Sequence, residues 1–203
     1  MKRIGIFGGT FNPVHYGHLI AAQTVGVELK LDETVFVPCA HPPHKTEREL
    51  APAVDRLAMI RLAIRKNPFF SVSDFEIKKG GKSYSIDTAR YFRTLYPAGT
   101  KFFFIVGADA AECLPAWKDV DELVKMVTFV AVNRPGYKPQ VRHKIKHKAM
   151  EIPGMEISSS FIRHSLHMGR SIRYLTHERV VDYIYKKELY QTVNIKEKHE
   201  HRN

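Results

Sequence analysis

The chain has 203 residues, of which 44% are hydrophobic and 26% are charged. This length and composition predict one α/β domain over residues 1–190, followed by a polar, frayed tail at 191–203. There is no run of 18 apolar residues, and Met1-Lys2-Arg3 leads straight into a short apolar segment, so we expect neither a membrane-spanning helix nor a signal peptide. Two cysteines, Cys39 and Cys113, are too few for a disulfide framework and suit a cytoplasmic protein.

The formal charge of +11 predicts that the protein meets anions. Nucleic acid, acidic lipid and small phosphorylated substrates all fit that charge. The densest basic run, Lys138 to Lys148, contains no aromatic residue and follows a Pro-Gly turn. We therefore interpret this run as a solvated helix face in preference to a nucleic-acid-binding surface.

Strand-like and helix-like segments alternate along the chain. The predicted strands are Arg3–Phe7, Thr34–Pro38, Phe70–Phe75, Lys101–Val106 and Thr128–Asn133. The predicted helices are His18–Leu29, Val54–Arg65, Ile86–Tyr96, Val120–Met126, Phe161–Met168 and His177–Lys186. This order predicts a Rossmann-like, doubly wound parallel sheet with helices on both faces and a small helical C-terminal part.

Informative residues follow four of the five predicted strands. They are Gly8, Pro42–Lys45, Gly107–Asp109 and Arg134. Ligands of open parallel sheets bind beyond the carboxyl ends of the strands. The repetition therefore predicts a ligand lying across this edge of the sheet.

The first of these turns, Gly8-Gly9-Thr10, pairs two glycines with a hydroxyl directly after a strand. Glycine lets the backbone turn tightly and present its N–H groups to an anion. The sequence is neither a P-loop nor a dinucleotide fingerprint, because it lacks Gly-Lys-Ser/Thr and the G-x-G-x-x-G spacing. An ordinary glycine turn is the competing interpretation.

The next segment, His15-Tyr16-Gly17-His18, places two histidines three residues apart at the start of a predicted helix. A helix N-terminus favours phosphate, and Gly17 is expected to leave space for a ligand. Structural histidines and a metal pair are the alternatives. The two histidines are not four apart with an intervening glutamate, as a zinc protease helix requires, so we favour phosphate ligation.

The segment from Gly8 to His18 resembles the opening signature of the H-x-G-H nucleotidyltransferase superfamily. The segment Ile157–Arg163, which contains Ser158-Ser159-Ser160, resembles a second sequence element of this superfamily. These serines can cap a helix and offer hydroxyls and amides to phosphate, and Arg163 supplies a fork of donors. Simple helix capping is the alternative for the serines.

From Lys2 to about Tyr190 the chain resembles the bacterial nicotinate-nucleotide adenylyltransferases. Besides the two signatures, the resemblance rests on Val37–Lys45, Ser83–Thr88, Ile105–Lys118, Arg134–Gly136 and Arg173–Ile184. It departs from the family at Asn12, where aspartate is usual, and at His177-Glu178-Arg179, where a proline-containing helix start is usual. A metal site at Cys39–His44 is disfavoured, because the two prolines stiffen the segment and no fourth ligand is evident.

The resemblance implies ATP and nicotinic acid mononucleotide as substrates, with catalysis by His18 and His15. The implied ATP-binding residues are Gly8, Gly9, Thr10, Phe11, His15, His18, Gly107, Asp109, Ser158, Ser159 and Arg163. The implied residues for the mononucleotide are Lys45, Ser85, Trp117, Lys118 and Arg134, with Trp117 under the nicotinate ring and Ser85 and Lys118 giving N–H groups to its carboxylate.

Mg²⁺ is expected to arrive with ATP and to be held largely by phosphate and water, with no protein side chain as a ligand. The alternative acceptors are nicotinamide mononucleotide and phosphopantetheine. A non-catalytic nucleotide-binding protein is the alternative from another class. The sequence leaves a homo-oligomer open.

Overall fold

The computed structural model describes residues 1–41, 50–133, 145–153 and 156–190. The strands are β1 (Arg3–Gly9), β2 (Glu33–Pro38), β3 (Phe70–Val72), β4 (Lys101–Gly107), β5 (Thr128–Asn133) and β6 (His147–Glu151). The helices are α1 (Tyr16–Glu28), α2 (Ala53–Ile64), α3 (Phe75–Lys79), α4 (Ser85–Leu95), α5 (Ala108–Glu112), α6 (Val120–Met126), α7 (Ser159–His167) and α8 (Glu178–Lys186). A 3₁₀ turn at Leu114–Ala116 joins α5 to α6.

The six strands form one sheet in the order β3-β2-β1-β4-β5-β6, and every pair is parallel. Strand order reverses between β1 and β4, so the chain builds outward in both directions from the middle of the sheet. This is the doubly wound arrangement, and it confirms the predicted Rossmann-like α/β fold. The crevice at this reversal lies beyond Gly9 and Gly107, where the strands β1 and β4 end.

The central strands are apolar on both faces because each face carries its own core. In β4, Phe102, Phe104 and Val106 belong to one cluster of buried side chains. Phe103 and Ile105 belong to the other, as the period of two in a strand requires. The first cluster includes side chains of α4, α5 and α6, and the second includes those of α1, α2, α7 and α8. Helices therefore cover both faces.

Most predicted elements are confirmed within a few residues, but the third predicted strand ends early. It was expected to run to Phe75, yet β3 stops at Val72 and Phe75 begins the short helix α3. The N–H of Ser73 still donates to the carbonyl of Phe36, so the pairing continues one residue beyond the strand. The helices α3 and α5 were not predicted, because five residues are too few to show a helical period.

The interpretation of the basic run as a helix face is wrong where the structure describes it. His147 and Lys148 begin β6, which pairs with β5 in register Phe129↔His147. The strand β6 is at the edge of the sheet, and charged side chains are common on edge strands because they discourage pairing with another chain. Residues 138–144 lie outside the described part of the chain.

Within the described ranges, no helix is both long enough and apolar enough to cross a bilayer.

Candidate active site

A cavity of about 550 Å³ opens at the carboxyl ends of β1 and β4. We call it the histidine cavity. It brings together most of the predicted ATP-binding residues, which are Gly8, Gly9, Phe11, His15, His18, Gly107, Asp109, Ser158 and Ser159. Ala108, Asn133, Pro153, Ile157 and Ser160 complete much of the remaining wall. Asp109 is the one acidic side chain among the lining residues that the structure describes.

The glycine turn is held against aromatic rings. A Cβ on Gly9 would lie 3.0 Å from the ring of Phe11, and one on Gly8 would lie 3.3 Å from the ring of Phe104. Phe11 is itself buried and has a positive φ of 49°. A side chain at Gly9 would therefore have to displace a ring packed in the core, so the turn keeps its backbone bare at the cavity.

His15 and His18 lie together at the start of α1, as their spacing predicted. Their ring centroids are 3.8 Å apart, and His15 is only 5% exposed. The backbone N–H of His15 donates to Nδ1 of His18 over 3.2 Å. Since Nδ1 is an acceptor in this bond, the proton of the neutral His18 ring is on Nε2. His18 is thereby set up as an Nε2–H donor.

The missing side chain at Gly17 has a consequence within the protein besides the predicted space for a ligand. Gly17 was expected to leave room for a ligand, and a Cβ there would also lie 3.0 Å from Nδ1 of His15. The missing side chain therefore makes room for the His15 ring, which is a neighbour within the same helical turn. Gly17 also lines the histidine cavity, so the ring of His15 fills only part of the space that glycine leaves.

Side chains from the C-terminal part bind three consecutive carbonyls just before α1. The guanidinium of Arg163 donates to the carbonyl of Asn12 (3.0 Å), Ser159 Oγ to that of Pro13 (2.9 Å) and Thr176 Oγ1 to that of Val14 (2.8 Å). We call these contacts the carbonyl clamp. They fix the loop that carries the histidines, although 145 or more residues separate each donor from its acceptor.

Several of the residues predicted to bind phosphate make hydrogen bonds within the protein instead of, or in addition to, lining the cavity. Ser158 Oγ accepts from the N–H of Phe161 and so caps α7, which was the alternative considered for the serines. Ser159 combines its bond in the clamp with a place in the cavity wall, whereas Arg163 does not line the cavity. Thr10 also lies outside the wall, and its carbonyl accepts from Arg56 over 2.8 Å.

Arg56 is a buried residue that sequence reasoning missed. Its guanidinium is 1% exposed and donates to the carbonyls of Thr10, Ala40 and Ala51. It thus ties the end of the glycine turn to the segment that follows β2. Arginine is rarely buried, and no sequence signal marked this one, because the apolar pattern of α2 runs on around it.

Cys39, beside Arg56, is also buried, and burial raises the pKa of its thiol although the guanidinium acts in the opposite direction. The thiol therefore stays protonated at neutral pH.

Asn12, the noted departure from the family pattern, is 2% exposed and joins two further segments. Its Oδ1 accepts from the N–H of Ala51 (3.0 Å) and from the hydroxyl of Tyr190 (2.8 Å). An amide oxygen satisfies both donors without bringing a charge into the core. Through these two bonds Asn12 links the loop before α1 to Ala51 and to Tyr190.

Aromatic rings form a second feature beside the glycine turn. Trp117, which is half-buried, packs edge-to-face on Phe104 (6.0 Å) and Phe129 (5.9 Å). Nζ of Lys118 lies 4.6 Å from the centre of the Tyr84 ring. We call Tyr84, Phe104, Trp117 and Phe129 the aromatic cluster. Phe104 links it to the histidine cavity, because its ring is also the neighbour of Gly8.

Next to this cluster, α4 begins at Ser85 with Tyr84 as its N-cap. The N–H groups of Ser85 and Ile86 donate to no acceptor in the described part of the chain, and the same holds for Lys118. Such N–H groups at a helix start are donors ready for an anion. The predicted residues Lys45 and Arg134 lie outside the described ranges.

Comparison with known proteins identifies the class first. The family model described as cytidylyltransferase-like matches residues 6–165, which is most of the chain. A solved structure of Plasmodium falciparum nicotinic acid mononucleotide adenylyltransferase complexed with NaAD has the same fold, with a TM-score of 0.79. It is 24% identical, and the match covers 94% of this chain and 98% of that one. The solved structure shows the fold, and the family model gives the class as cytidylyltransferase-like.

Relatives with higher sequence identity to this chain narrow the class to one family. A protein of Lactiplantibacillus plantarum is 43% identical over 190 residues, which are 94% of this chain and 89% of the relative. One of Geobacillus thermodenitrificans is 44% identical over 190 residues, covering 94% and 87%. Both carry the name "probable nicotinate-nucleotide adenylyltransferase". The chain belongs to the cytidylyltransferase-like class and, within it, to the nicotinate-nucleotide adenylyltransferases.

Proposed function

We propose that this enzyme transfers AMP from ATP to nicotinic acid mononucleotide, forming nicotinic acid adenine dinucleotide and pyrophosphate in NAD biosynthesis. The observation that carries the proposal is the histidine cavity, which unites two glycines, two adjacent histidines and a serine-capped helix at the point where the strand order reverses. The nucleotide site of doubly wound folds lies at that point. ATP binding by the cavity residues is part of the proposal.

The reaction is an in-line displacement at the α-phosphorus of ATP. An oxygen of the acceptor's 5′-phosphate forms the new bond to phosphorus, and the bond from phosphorus to the oxygen bridging to the β-phosphate breaks. The electron pair leaves with pyrophosphate. A phosphate dianion is already a nucleophile, so no side chain has to remove a proton, and catalysis consists of positioning and charge stabilisation.

His18 stabilises the charge that develops on the α-phosphate. Its Nε2–H is fixed as a donor by the bond between Nδ1 and the backbone of His15. The positive end of the α1 dipole and the N–H of Gly17, which has no acceptor among the described residues, act in the same direction. His15, Ser159 and the glycine turn complete the triphosphate site, and Asp109 meets the adenosine ribose.

Mg²⁺ would reach this site with ATP and neutralise part of the phosphate charge. The described cavity wall offers one carboxylate, that of Asp109, and no group of three or more metal-ligating side chains is found among the described residues. This donor set suits an ion held mainly by phosphate oxygens and water.

The acceptor's pyridine ring stacks on Trp117. The carboxylate on that ring accepts hydrogen bonds from the backbone N–H groups of Ser85 and Lys118. Their lack of an acceptor within the described ranges supports this placement. Lys45 is assigned to the acceptor's phosphate, and Arg134 is assigned to the mononucleotide without a particular group. A cytoplasmic location, with reduced Cys39 and Cys113, belongs to the same proposal.

The test is pyrophosphate release with ATP and Mg²⁺, with nicotinic acid mononucleotide, its amide and phosphopantetheine as separate acceptors. The acid should react at least tenfold faster than the amide, because two N–H donors at the ring would face an uncharged group in the amide. Equal rates with acid and amide would contradict the assigned acceptor. No release with any acceptor would contradict the enzyme itself.

A further inference from the structure

Glu76, in the short helix α3, carries a buried carboxyl group that has no role in the AMP transfer proposed for the enzyme. It is 7% exposed and accepts a hydrogen bond from Thr88 Oγ1 in α4, and the hydroxyl of Ser83 lies near enough to favour its charged form. Burial raises the pKa of this carboxyl, while the two hydroxyl donors act in the opposite direction. A buried carboxyl is costly, so its retention needs a reason.

Docking of α3 against α4 is not a sufficient reason. The rings of Phe75 and Tyr91 already stack between the two helices, with centroids 3.9 Å apart and planes within 7°. Lys79 Nζ in α3 is 2.9 Å from Asp87 Oδ2 in α4. An apolar residue at position 76 could fill the remaining space at a lower desolvation cost.

Glu76 also reaches the end of β2 through Ser83. Ser83 Oγ accepts from the N–H of Ala40 over 2.9 Å, which leaves its own proton for the neighbouring carboxyl of Glu76. The N–H of Ser83 donates to the carbonyl of His41 over 3.3 Å. The polar contacts therefore run in one direction, each group donating to the next, from the N–H of Ala40 through the hydroxyl of Ser83 to the carboxyl of Glu76. We call this series the relay. A carboxylate can accept from both hydroxyls and, unlike a side-chain amide, brings no N–H donor of its own to face one of them.

The segment fixed in this way leads directly into the acceptor site. Tyr84, which follows Ser83, lies under Lys118 Nζ, and Ser85 and Ile86 present the N–H groups at the start of α4. Thr88 fixes the same helical turn from the other side. A shift of this turn would move both N–H groups relative to Trp117.

We infer that Glu76 is a positioning residue for the acceptor: through Ser83 and Thr88 it holds the first turn of α4 where the N–H of Ser85 meets the ring carboxylate. This inference rests on the proposed function and assigns to Glu76 a part in selecting an acidic acceptor. It predicts an effect on the mononucleotide and none on ATP.

The first test is Glu76→Gln, in which an N–H donor replaces one accepting oxygen. We expect the KM for nicotinic acid mononucleotide to rise about tenfold, the effect of about one lost hydrogen bond, while kcat and the KM for ATP change less than about twofold. Binding is measured independently by fluorescence, because Trp117 is the single tryptophan of the chain. The Kd from quenching by the mononucleotide should rise by the same factor.

Ser83→Ala tests the relay from its other end and should raise the same KM. In the double variant the effect of Glu76→Gln should shrink below about twofold, because residues that act through one another are not additive. The matched control is Lys79→Met, which removes a contact between α3 and α4 but leaves the relay intact. Its KM values should be those of the wild type.

The inference is overturned if Glu76→Gln leaves the KM for the mononucleotide unchanged, if it raises both KM values equally, or if Lys79→Met has the same effect. If Glu76→Gln does not fold, an unchanged KM in Ser83→Ala overturns it. An inactive wild-type protein contradicts the proposed function instead, so the two failures are distinguishable.

Discussion

The histidine cavity and the aromatic cluster lie side by side at one edge of the sheet, but the first is lined mainly by polar donors and the second consists of aromatic rings. The cavity uses glycine backbone, helix N-termini and two histidines whose geometry is fixed by hydrogen bonds. The cluster uses flat rings packed on one core, with N–H groups at its margin. Polar donors suit a charged reaction centre, whereas rings suit a flat apolar ligand. We therefore expect reaction rate to depend on the first and acceptor affinity on the second.

His18→Ala should show the largest difference between an effect on reaction rate and an effect on acceptor affinity. Losing one preorganised donor to the transition state slows AMP transfer by about 10²–10³-fold. Single-turnover formation of the dinucleotide at saturating substrates measures this step, and the Kd of the mononucleotide from Trp117 fluorescence should stay within about twofold. A near-normal single-turnover rate would remove His18 from the mechanism.

Gly17→Ala should also act on rate, through the ring of His15. The added Cβ would lie 3.0 Å from Nδ1 of that ring, which must move away and disturb its contact with the His18 ring. We expect kcat to fall about tenfold or more, since small misplacements of catalytic groups are costly.

Gly26→Ala, in the same helix, is the matched control. Its Cβ would have one neighbour, Thr34 Oγ1 at 3.7 Å, which is an ordinary contact. Alanine should leave kcat unchanged and raise the free energy of unfolding by about 0.5–1 kcal/mol. Equal kcat in the two variants would mean that the His15 ring is not required where it stands.

Trp117→Ala should act on acceptor affinity alone. Stacking contributes about 0.5–1.5 kcal/mol beyond burial, so the KM for the mononucleotide should rise about 2- to 13-fold while the KM for ATP stays constant. Trp117→Phe keeps a ring and should recover part of the loss. A variant whose kcat falls while both KM values hold would instead place Trp117 with the reaction centre.

The smallest effect concerns stability near Glu76. Burial raises the pKa of this carboxyl, whose charged neighbours include Lys79 and Asp87, so folding favours its protonated form. Its stabilising contribution is full below the unfolded pKa of about 4.3 and is lost as pH rises through the raised folded pKa. Urea midpoints over this range should fall in the wild type relative to Glu76→Gln. Parallel curves for the two proteins would show that ionisation of Glu76 is not coupled to folding.

Much of this molecule follows from local pattern. The apolar run Phe102–Val106 marked a central strand, and the structure places it between two cores. The spacing of His15 and His18 predicted their shared helical turn, because three residues bring side chains to one face. The assignment of ATP and acceptor roles to particular residues remains a prediction.

Other features depend on contacts between distant segments, and no local pattern encodes those. The carbonyl clamp joins Arg163, Ser159 and Thr176 to a loop near the N-terminus, and the burial of Arg56 and Glu76 depends on three separate segments meeting around each of them. Hydrogen-bond partners are decided by where the chain has packed. The sequence by itself determined the parallel α/β fold, five of its strands, its longer helices and the family. Only the tertiary structure decided which polar side chains line the cavity and which hold the backbone around it, because a buried donor or acceptor must be satisfied by whatever lies beside it.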